Sequence, residues 1–218
     1  MAKWNGQKVA GASGVLFVVA LLVSIFIAPL PPGFDEPPAK FLAYYVDHRS
    51  ILLVQMIIGV LGNIPALVFA GGLWNFLRRE EGEGGVFSGA AVFAFVFGGV
   101  LATVATCWPG AIAYLAGNGL DESLARNLTA VSILLSPGIF SALSTMSATS
   151  GLVVLRNSVV PKWIGWVGLL AALLQLVAIF SVAKSGLFGP FGFFGFTGLL
   201  SFSAYVGLLS VFFGLRAK

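Results

Sequence analysis

Six long apolar stretches constrain the fold of this chain more than any other feature. They cover residues 9–30, 51–77, 86–108, 128–155, 163–183 and 191–215. A helix needs about 20 predominantly apolar residues to cross the hydrocarbon core of a bilayer, and every stretch reaches that length. Lipid offers no hydrogen-bond partner to a free backbone, so such stretches are expected to be helical. The predicted fold class is all-α, a polytopic membrane bundle of six transmembrane helices that forms one domain over residues 1–218.

The composition of the chain agrees with a membrane protein. Hydrophobic residues make up 58% of the sequence and charged residues only 9%, whereas charged residues are about a quarter of an average soluble domain. The polar segments between the stretches are too short to fold a separate core. The first stretch exceeds the roughly 7–15 apolar residues of a signal-peptide core, so we predict that it is retained as a span.

Basic residues predict how the chain is threaded, because cytoplasmic loops carry an excess of Lys and Arg. One set of loops and chain ends contains Lys3, Lys8, Arg78, Arg79, Arg156, Lys162, Arg216 and Lys218. The other set contains Lys40, Arg49, Arg126 and Lys184. The first set therefore faces the cytoplasm, which places both termini there and predicts an inner, plasma-membrane location. Because these charges lie between apolar stretches and form no basic patch, no nucleic-acid partner is expected.

Reactive side chains are few in this sequence. Cys107 is the single cysteine, and it lies far along the chain from the single histidine, His48. No spacing rule makes them a metal pair. No charged residue lies near the middle of any apolar stretch, although such residues are typical of proton relays and pumps. The sequence therefore predicts no cofactor, no metal and no catalytic residue.

The loop between the first two stretches predicts an outer interfacial helix over residues 37–49, started by two prolines. Its aromatic residues recur at helical spacing on one face: Phe41, Tyr44, Tyr45 and His48. One interpretation is a surface site in which His48 and Arg49 hold an anionic head group, with Tyr44 and Tyr45 beside them. The other is a helix that lays its aromatic face on the edge of the bilayer. We favour the second interpretation, because amphipathic interfacial segments are common.

Uncharged polar residues occur inside several of the predicted spans, and they include Gln55, Asn63, Thr103, Thr106, Ser136 and Gln175. The fourth span is the richest in Ser and Thr. Pro65 in the second span and Pro137 with Gly138 in the fourth predict bends. Two bent polar helices would line a cavity for a lipid or an amphipathic ligand, with Asn63, Ser136 and Gln175 as candidate contacts. The alternative is that small hydroxyl residues only allow close helix packing, and we favour this alternative.

Glycine stands at every third position of residues 185–198, with phenylalanine between. A period of three drifts by about 60° per step around a helix, so these glycines do not share one face. The segment is therefore not a GxxxG dimer motif. It predicts close approach of other backbone or of a ligand on several sides.

Two motifs, together with the six-span layout, point to a resemblance to known proteins. The motifs are YYVDHR before the second span and VPKWIGWVG at the start of the fifth. With them the chain resembles the six-helix bacterial integral membrane proteins that are catalogued as domains of unknown function. This resemblance implies no catalytic residue.

Three functional hypotheses follow. The first is a non-enzymatic membrane protein that binds membrane lipid or another hydrophobic molecule, or that acts as a subunit of a homo-oligomer or a larger membrane complex. The second is a small transporter or channel for an uncharged solute, with a pathway between the second, fourth and sixth spans. The third is a membrane enzyme with an outer-face site around His48, which ranks last because one imidazole is its main support.

Overall fold

The computed structural model of this chain describes residues 5–82, 84–156, 160–183, 186–189 and 192–216. These residues form eight helices: α1 (Gly6–Phe26), α2 (Pro38–Asp47), α3 (Arg49–Glu81), α4 (Val86–Ala116), α5 (Glu122–Ile133), α6 (Ser136–Arg156), α7 (Lys162–Ala178) and α8 (Phe193–Arg216). No strand occurs among them, so the all-α prediction is confirmed. Lys3, Lys184 and Lys218, which contribute to the charge pattern, lie outside the described residues.

Five helical segments in the described chain are long and apolar enough to cross a membrane. They are Gly6–Phe26, Arg49–Glu81, Val86–Ala116, Glu122–Arg156 and Phe193–Gly214. The segment Glu122–Arg156 joins α5 and α6 through a short turn. Helix α7 is apolar as well, but its 17 residues make it shorter than these five.

Six of the helices form a closed ring in which each packs against the next. The order around the ring is α1, α3, α4, α6, α7, α8 and again α1. The two remaining helices, α2 and α5, pack on each other and on α4 at one end of the bundle. We call this end the α2/α5 end. Apart from the contact of α8 with α1, ring neighbours follow one another along the chain, with α2 inserted between α1 and α3 and α5 between α4 and α6.

Side-chain caps explain where several helices begin. The Asn5 side chain accepts a hydrogen bond from the backbone N–H of Gln7 at the start of α1. Asp121 does the same for α5, at 2.9 and 3.1 Å from the nitrogens of the next turn. Glu81 at the end of α3 accepts from the first turn of α4, including the Ser88 nitrogen at 2.7 Å. Carboxylates satisfy the free N–H groups of a helix start and complement its dipole.

The end of the bundle opposite α2 and α5 is a solid core. Phe69, Leu73 and Leu77 of α3, Met146 of α6 and Leu209 of α8 are each 0% exposed. Glycines allow the surrounding helices to approach closely. A Cβ atom added to Gly151 of α6 would lie 3.0 Å from the carbonyl oxygen of Gly165 in α7. Small residues at such crossings are typical of membrane helix packing.

A second, smaller core lies at the α2/α5 end. Phe41 and Tyr45 of α2 are 0% and 1% exposed, and they pack with Ile112 of α4 and Ala125 of α5. The predicted helix over residues 37–49 is thus observed as α2, but its aromatic face packs on protein. The prediction that this face lies on the bilayer edge is wrong, because α4 and α5 supply a partner surface that local sequence does not reveal.

The helices differ from the predicted spans at several ends. Helix α4 was expected to end at residue 108, yet it continues through Pro109 to Ala116 because its last turns are buried in the second core. Helix α3 runs through Pro65, as the predicted span 51–77 does. The bend expected at Pro137 is observed, since α5 ends at Ile133 and α6 begins at Ser136. The stretch 163–183 forms a helix only to Ala178.

The glycine-rich segment packs tightly, as its spacing predicts. Gly186 has a φ of +81°, a conformation that favours glycine. A Cβ atom added to Gly192 would lie 2.3 Å from the carbonyl oxygen of Gly186. A Cβ atom added to Gly198 would lie 2.7 Å from the Cβ atom of Ala178 in α7. Backbone and a neighbouring helix therefore fill the space beside Gly192 and Gly198, whereas Gly186 is required by its backbone conformation.

Candidate functional site

A cavity of about 260 Å³ lies at the α2/α5 end, between the ring helices and the segment that follows α1. Most of its lining is apolar, but six polar side chains reach it, and we call it the polar cavity. Its polar lining residues are Tyr44, Tyr45, Gln55, Thr129, Ser132 and Ser136. Apolar residues of α1, α6 and α8 complete the wall, among them Ile25, Phe140 and Leu199. The bend between α5 and α6 carries Ser132 and Ser136 to this cavity.

A second, apolar cavity of about 390 Å³ lies next to it, between α1, α3, α4, α6 and α8. Its apolar lining residues include Phe17, Leu21, Ala66, Phe95, Leu143 and Phe202. Four of its lining residues, Leu67, Val96, Val100 and Val104, are between 36% and 60% exposed. The apolar cavity therefore reaches the outer surface of the bundle between α3 and α4.

The two cavities are stacked along the bundle axis. On α3, Leu52 and Gln55 line the polar cavity, and the residues from Gly59 to Leu67 line the apolar cavity. Leu199 of α8 lines both. From Leu52 to Leu67 the helix rises by about 22 Å. The solid core begins immediately beyond, at Phe69.

Four glycines of α3 and α4 lie in the wall of the apolar cavity. Gly59, Gly62, Gly98 and Gly99 all line it. A Cβ atom added to Gly98 would lie 3.1 Å from the Cβ atom of Ala142, so Gly98 is a helix contact. A Cβ atom added to Gly99 would meet nothing within 4 Å. The space in front of Gly99 is therefore empty.

Tyr44 and Tyr45 place two hydroxyl groups at the polar cavity. Tyr44 donates to the carbonyl oxygen of Pro29 at 2.7 Å. The Tyr45 hydroxyl lies 2.8 Å from Thr129 Oγ1, which itself donates to the carbonyl oxygen of Ala125. Tyr45 is therefore the donor of this pair. Burial raises the pKa of both phenols above the ordinary value, so both are neutral over the physiological pH range.

Two side-chain amides of α3 connect this helix to its neighbours. Gln55 Nε2 donates to the carbonyl oxygen of Ser24 in α1 at 2.7 Å, and Ser24 Oγ donates back to the Gln55 carbonyl oxygen at 3.3 Å. Asn63 Nδ2 donates to Thr103 Oγ1 of α4 at 2.9 Å. The orientation of the Gln55 amide follows because a carbonyl oxygen cannot donate, and that of the Asn63 amide follows because Thr103 Oγ1 donates its one hydrogen to Gly99 O.

The structure places the predicted site residues in different parts of the molecule. Tyr44, Tyr45 and Ser136 line the polar cavity, and Asn63 lines the apolar cavity. The other three predicted site residues, His48, Arg49 and Gln175, line neither cavity.

His48 and Arg49 lie on the outside of the α2/α5 end. The His48 ring packs against Tyr44, with ring centroids 5.2 Å apart. The Arg49 guanidinium lies 5.8 Å from the ring centroid of Tyr114 at the end of α4. These contacts hold α2 and the start of α3 against the bundle. The proposed head-group site of His48 with Tyr44 and Tyr45 is therefore divided, since Tyr45 faces the interior.

Gln175 of α7 is fully buried among the helices. Neither its Nε2 nor its Oε1 atom has a hydrogen-bond partner in the described chain. Leaving a buried polar group unpaired costs about 1–3 kcal/mol. Gln175 therefore carries unused hydrogen-bonding capacity in the interior of the bundle.

Thr129 and Ser132 of α5 complete the polar cavity. Thr129 meets Tyr45 across 84 positions of sequence. The sequence signal available for this contact is the amphipathic pattern of residues 122–133, in which Ala125, Thr129 and Ser132 form the buried face. That pattern indicates a buried polar face but does not identify its partner.

Comparison of the chain with protein-family models, with curated proteins and with solved structures finds no match. Within the described ranges, no group of three or more His, Cys, Asp or Glu side chains is arranged to hold a metal ion. The two cavities are the candidate ligand sites of the described chain.

Proposed function

We propose that the chain crosses the plasma membrane six times, with both termini in the cytoplasm. Helix α7 supplies the sixth crossing. Its 17 residues correspond to a rise of about 25 Å, and it occupies a full position in the ring between α6 and α8. Shorter spans are accommodated by local thinning of the bilayer. The eight-to-four distribution of basic residues supports the orientation.

Cysteine labelling in intact cells tests this topology. In a Cys107→Ala background, we expect a membrane-impermeant maleimide to label Ser123→Cys and Val182→Cys from outside. Val86→Cys should react only after the cells are permeabilised. All three positions are exposed on the protein surface. Labelling of Val86→Cys in intact cells would overturn the orientation, and protection of Val182→Cys would remove the sixth crossing.

We propose that the protein binds a membrane lipid or another hydrophobic molecule within the bundle. The apolar cavity is the observation that carries this proposal. Its volume of about 390 Å³ falls within the range of about 300–1,000 Å³ that is typical of small-molecule pockets. Its opening between α3 and α4 lies on a surface that would face lipid tails, so a ligand can enter from the bilayer.

The solid core beyond the apolar cavity favours the binding of a ligand over the conduction of a solute. The two cavities are lined by α3, α6 and α8, which correspond to the second, fourth and sixth predicted spans. A pathway through the bundle would have to continue past Phe69, Leu73 and Leu209. These side chains are fully buried and closely packed, and displacing them would create costly voids. A cavity closed at one end is suited to holding a ligand.

Filling the apolar cavity tests the binding proposal. We expect Gly99→Leu to abolish the copurification of lipid or other hydrophobic molecules that native mass spectrometry detects with the wild-type protein in mild detergent. The leucine side chain has free space to occupy, and helix propensity favours leucine over glycine. The variant should therefore fold.

Gly71→Leu is the matched control. Gly71 is exposed on α3, lines neither cavity and has nothing within 4 Å of an added Cβ atom. This variant should retain the bound molecule. Equal retention by wild type, Gly99→Leu and Gly71→Leu, or a wild-type protein without any bound molecule, would overturn the proposal.

A further inference from the structure

We propose that the two stacked cavities form one site for a neutral amphipathic molecule whose head group carries a hydroxyl, with Gln55 as a residue that recognises this head group. This inference rests on the proposed function and names the class of ligand. The supporting observation is which donors and acceptors in the cavity walls are already paired within the protein.

Every side-chain hydroxyl in the wall of the polar cavity already donates its hydrogen to the protein. Tyr44 donates to Pro29 O and Tyr45 donates to Thr129. Thr129, Ser132 and Ser136 each donate to a backbone carbonyl three or four residues earlier, at 2.7–2.8 Å. A hydroxyl has one hydrogen and two lone pairs. What these five groups can still offer a ligand is therefore acceptor capacity.

The hydroxyl groups that line the apolar cavity also donate their hydrogens to the protein. Ser24 donates to Gln55 O, Thr103 to Gly99 O and Thr106 to Ala102 O. Gln55 and Asn63 each use one of the two amide N–H groups on a neighbouring helix, and the side-chain oxygen of each accepts no hydrogen bond from any described residue. Both residues line a cavity. Each amide therefore still offers its oxygen and one N–H group, while the hydroxyls offer only their oxygens.

Most of the unused hydrogen-bonding capacity in these walls is acceptor capacity, which favours a ligand that donates hydrogen bonds. No charged residue is among the described residues that line the two cavities. A phosphate or carboxylate head group would find only the remaining N–H groups of Gln55 and Asn63 as donors, and its negative charge would have no counter-charge in the lining. Burying an ammonium without a counter-charge carries a large desolvation cost. A neutral alcohol or polyol satisfies both conditions.

The order of the cavities sets the direction of the ligand. The head group occupies the polar cavity, next to Gln55, and the hydrocarbon chain occupies the apolar cavity beyond Leu199. Asn63 and Thr103 lie alongside the chain, where a second hydroxyl would find an acceptor.

Three probes with the same hydrocarbon chain test this inference by titration in native mass spectrometry. Monoolein carries two hydroxyls, methyl oleate carries no donor, and oleate carries a negative charge. We expect wild-type protein to bind monoolein at least about tenfold more tightly than the other two, which corresponds to one or two net hydrogen bonds. The variant Gln55→Met keeps the length of the side chain. Its affinity for monoolein should fall to its affinity for methyl oleate, and its affinity for methyl oleate should equal that of the wild-type protein.

Failure of this inference is distinguishable from failure of the proposed function. If wild-type protein binds methyl oleate or oleate as tightly as monoolein, the head-group inference is overturned while binding in the cavity stands. If Gln55→Met weakens monoolein and methyl oleate equally, Gln55 acts through packing and not through recognition. If Gly99→Leu leaves the affinity for all three probes unchanged, the proposed binding site itself is wrong. The wild-type comparison needs no variant, so it holds even if Gln55→Met fails to fold.

Discussion

Gly11→Val is expected to open the ring of helices where α1 meets α8. A Cβ atom at position 11 would lie 2.6 Å from both the backbone nitrogen of Gly214 and the carbonyl oxygen of Ser210. Both are backbone atoms, so no rotamer change relieves the clash. Overpacking costs about 1–3 kcal/mol in ordinary cores and more where the backbone must move. We expect a large fall in the thermal midpoint in detergent and loss of a monodisperse peak on gel filtration.

Gly71→Val provides the control for this prediction. It introduces the same β-branched side chain in place of a helical glycine, so the change in helix propensity is the same. An added Cβ atom at position 71 meets nothing within 4 Å. The control should therefore keep nearly the wild-type midpoint. A Gly11→Val protein as stable as Gly71→Val would show that α1 and α8 do not pack in the way described here.

Phe41→Ala is expected to release α2 from the α2/α5 end. The Phe41 side chain is 0% exposed, and truncating a buried phenylalanine to alanine costs about 3–5 kcal/mol. Helix α2 has 10 residues and is too short to remain helical without tertiary packing. Hydrogen–deuterium exchange should therefore speed up strongly over residues 38–47, while the long helices of the ring keep their protection.

Val46→Ala on the same helix is the matched control for Phe41→Ala. Val46 is 50% exposed, so its truncation should leave exchange over α2 nearly unchanged. Because Tyr44 and Tyr45 line the polar cavity from α2, Phe41→Ala should also lower the affinity for monoolein. Unaltered protection of α2 in Phe41→Ala would contradict the second core.

The elements of the fold could be read from the sequence, with errors at particular residues. The third span was predicted to end at residue 108, yet α4 continues through Pro109 to Ala116, because burial of its last turns outweighs one lost backbone hydrogen bond. A bend was predicted at Pro137, and the helix is interrupted there, between α5 and α6. The difference between the two prolines lies in what packs around them, which local sequence does not specify.

The candidate site could be predicted only in part. Tyr44, Tyr45, Asn63 and Ser136 were recognised as unusual polar or aromatic residues in an apolar chain, and each lines a cavity. Gln175 gave the same sequence signal and lines neither. A polar residue in a span can line a cavity or make a buried contact between helices. Composition does not distinguish these two positions.

By itself the sequence determined that the chain is helical and that its helices suit a bilayer, because helix length and apolar transfer free energy add up from neighbouring residues. Only the tertiary structure decided which side chains meet. Asn63 pairs with Thr103 across 40 positions, and Tyr45 pairs with Thr129 across 84. The cavities arise from the same long-range placement, since an empty space exists only where several distant helices fail to fill it.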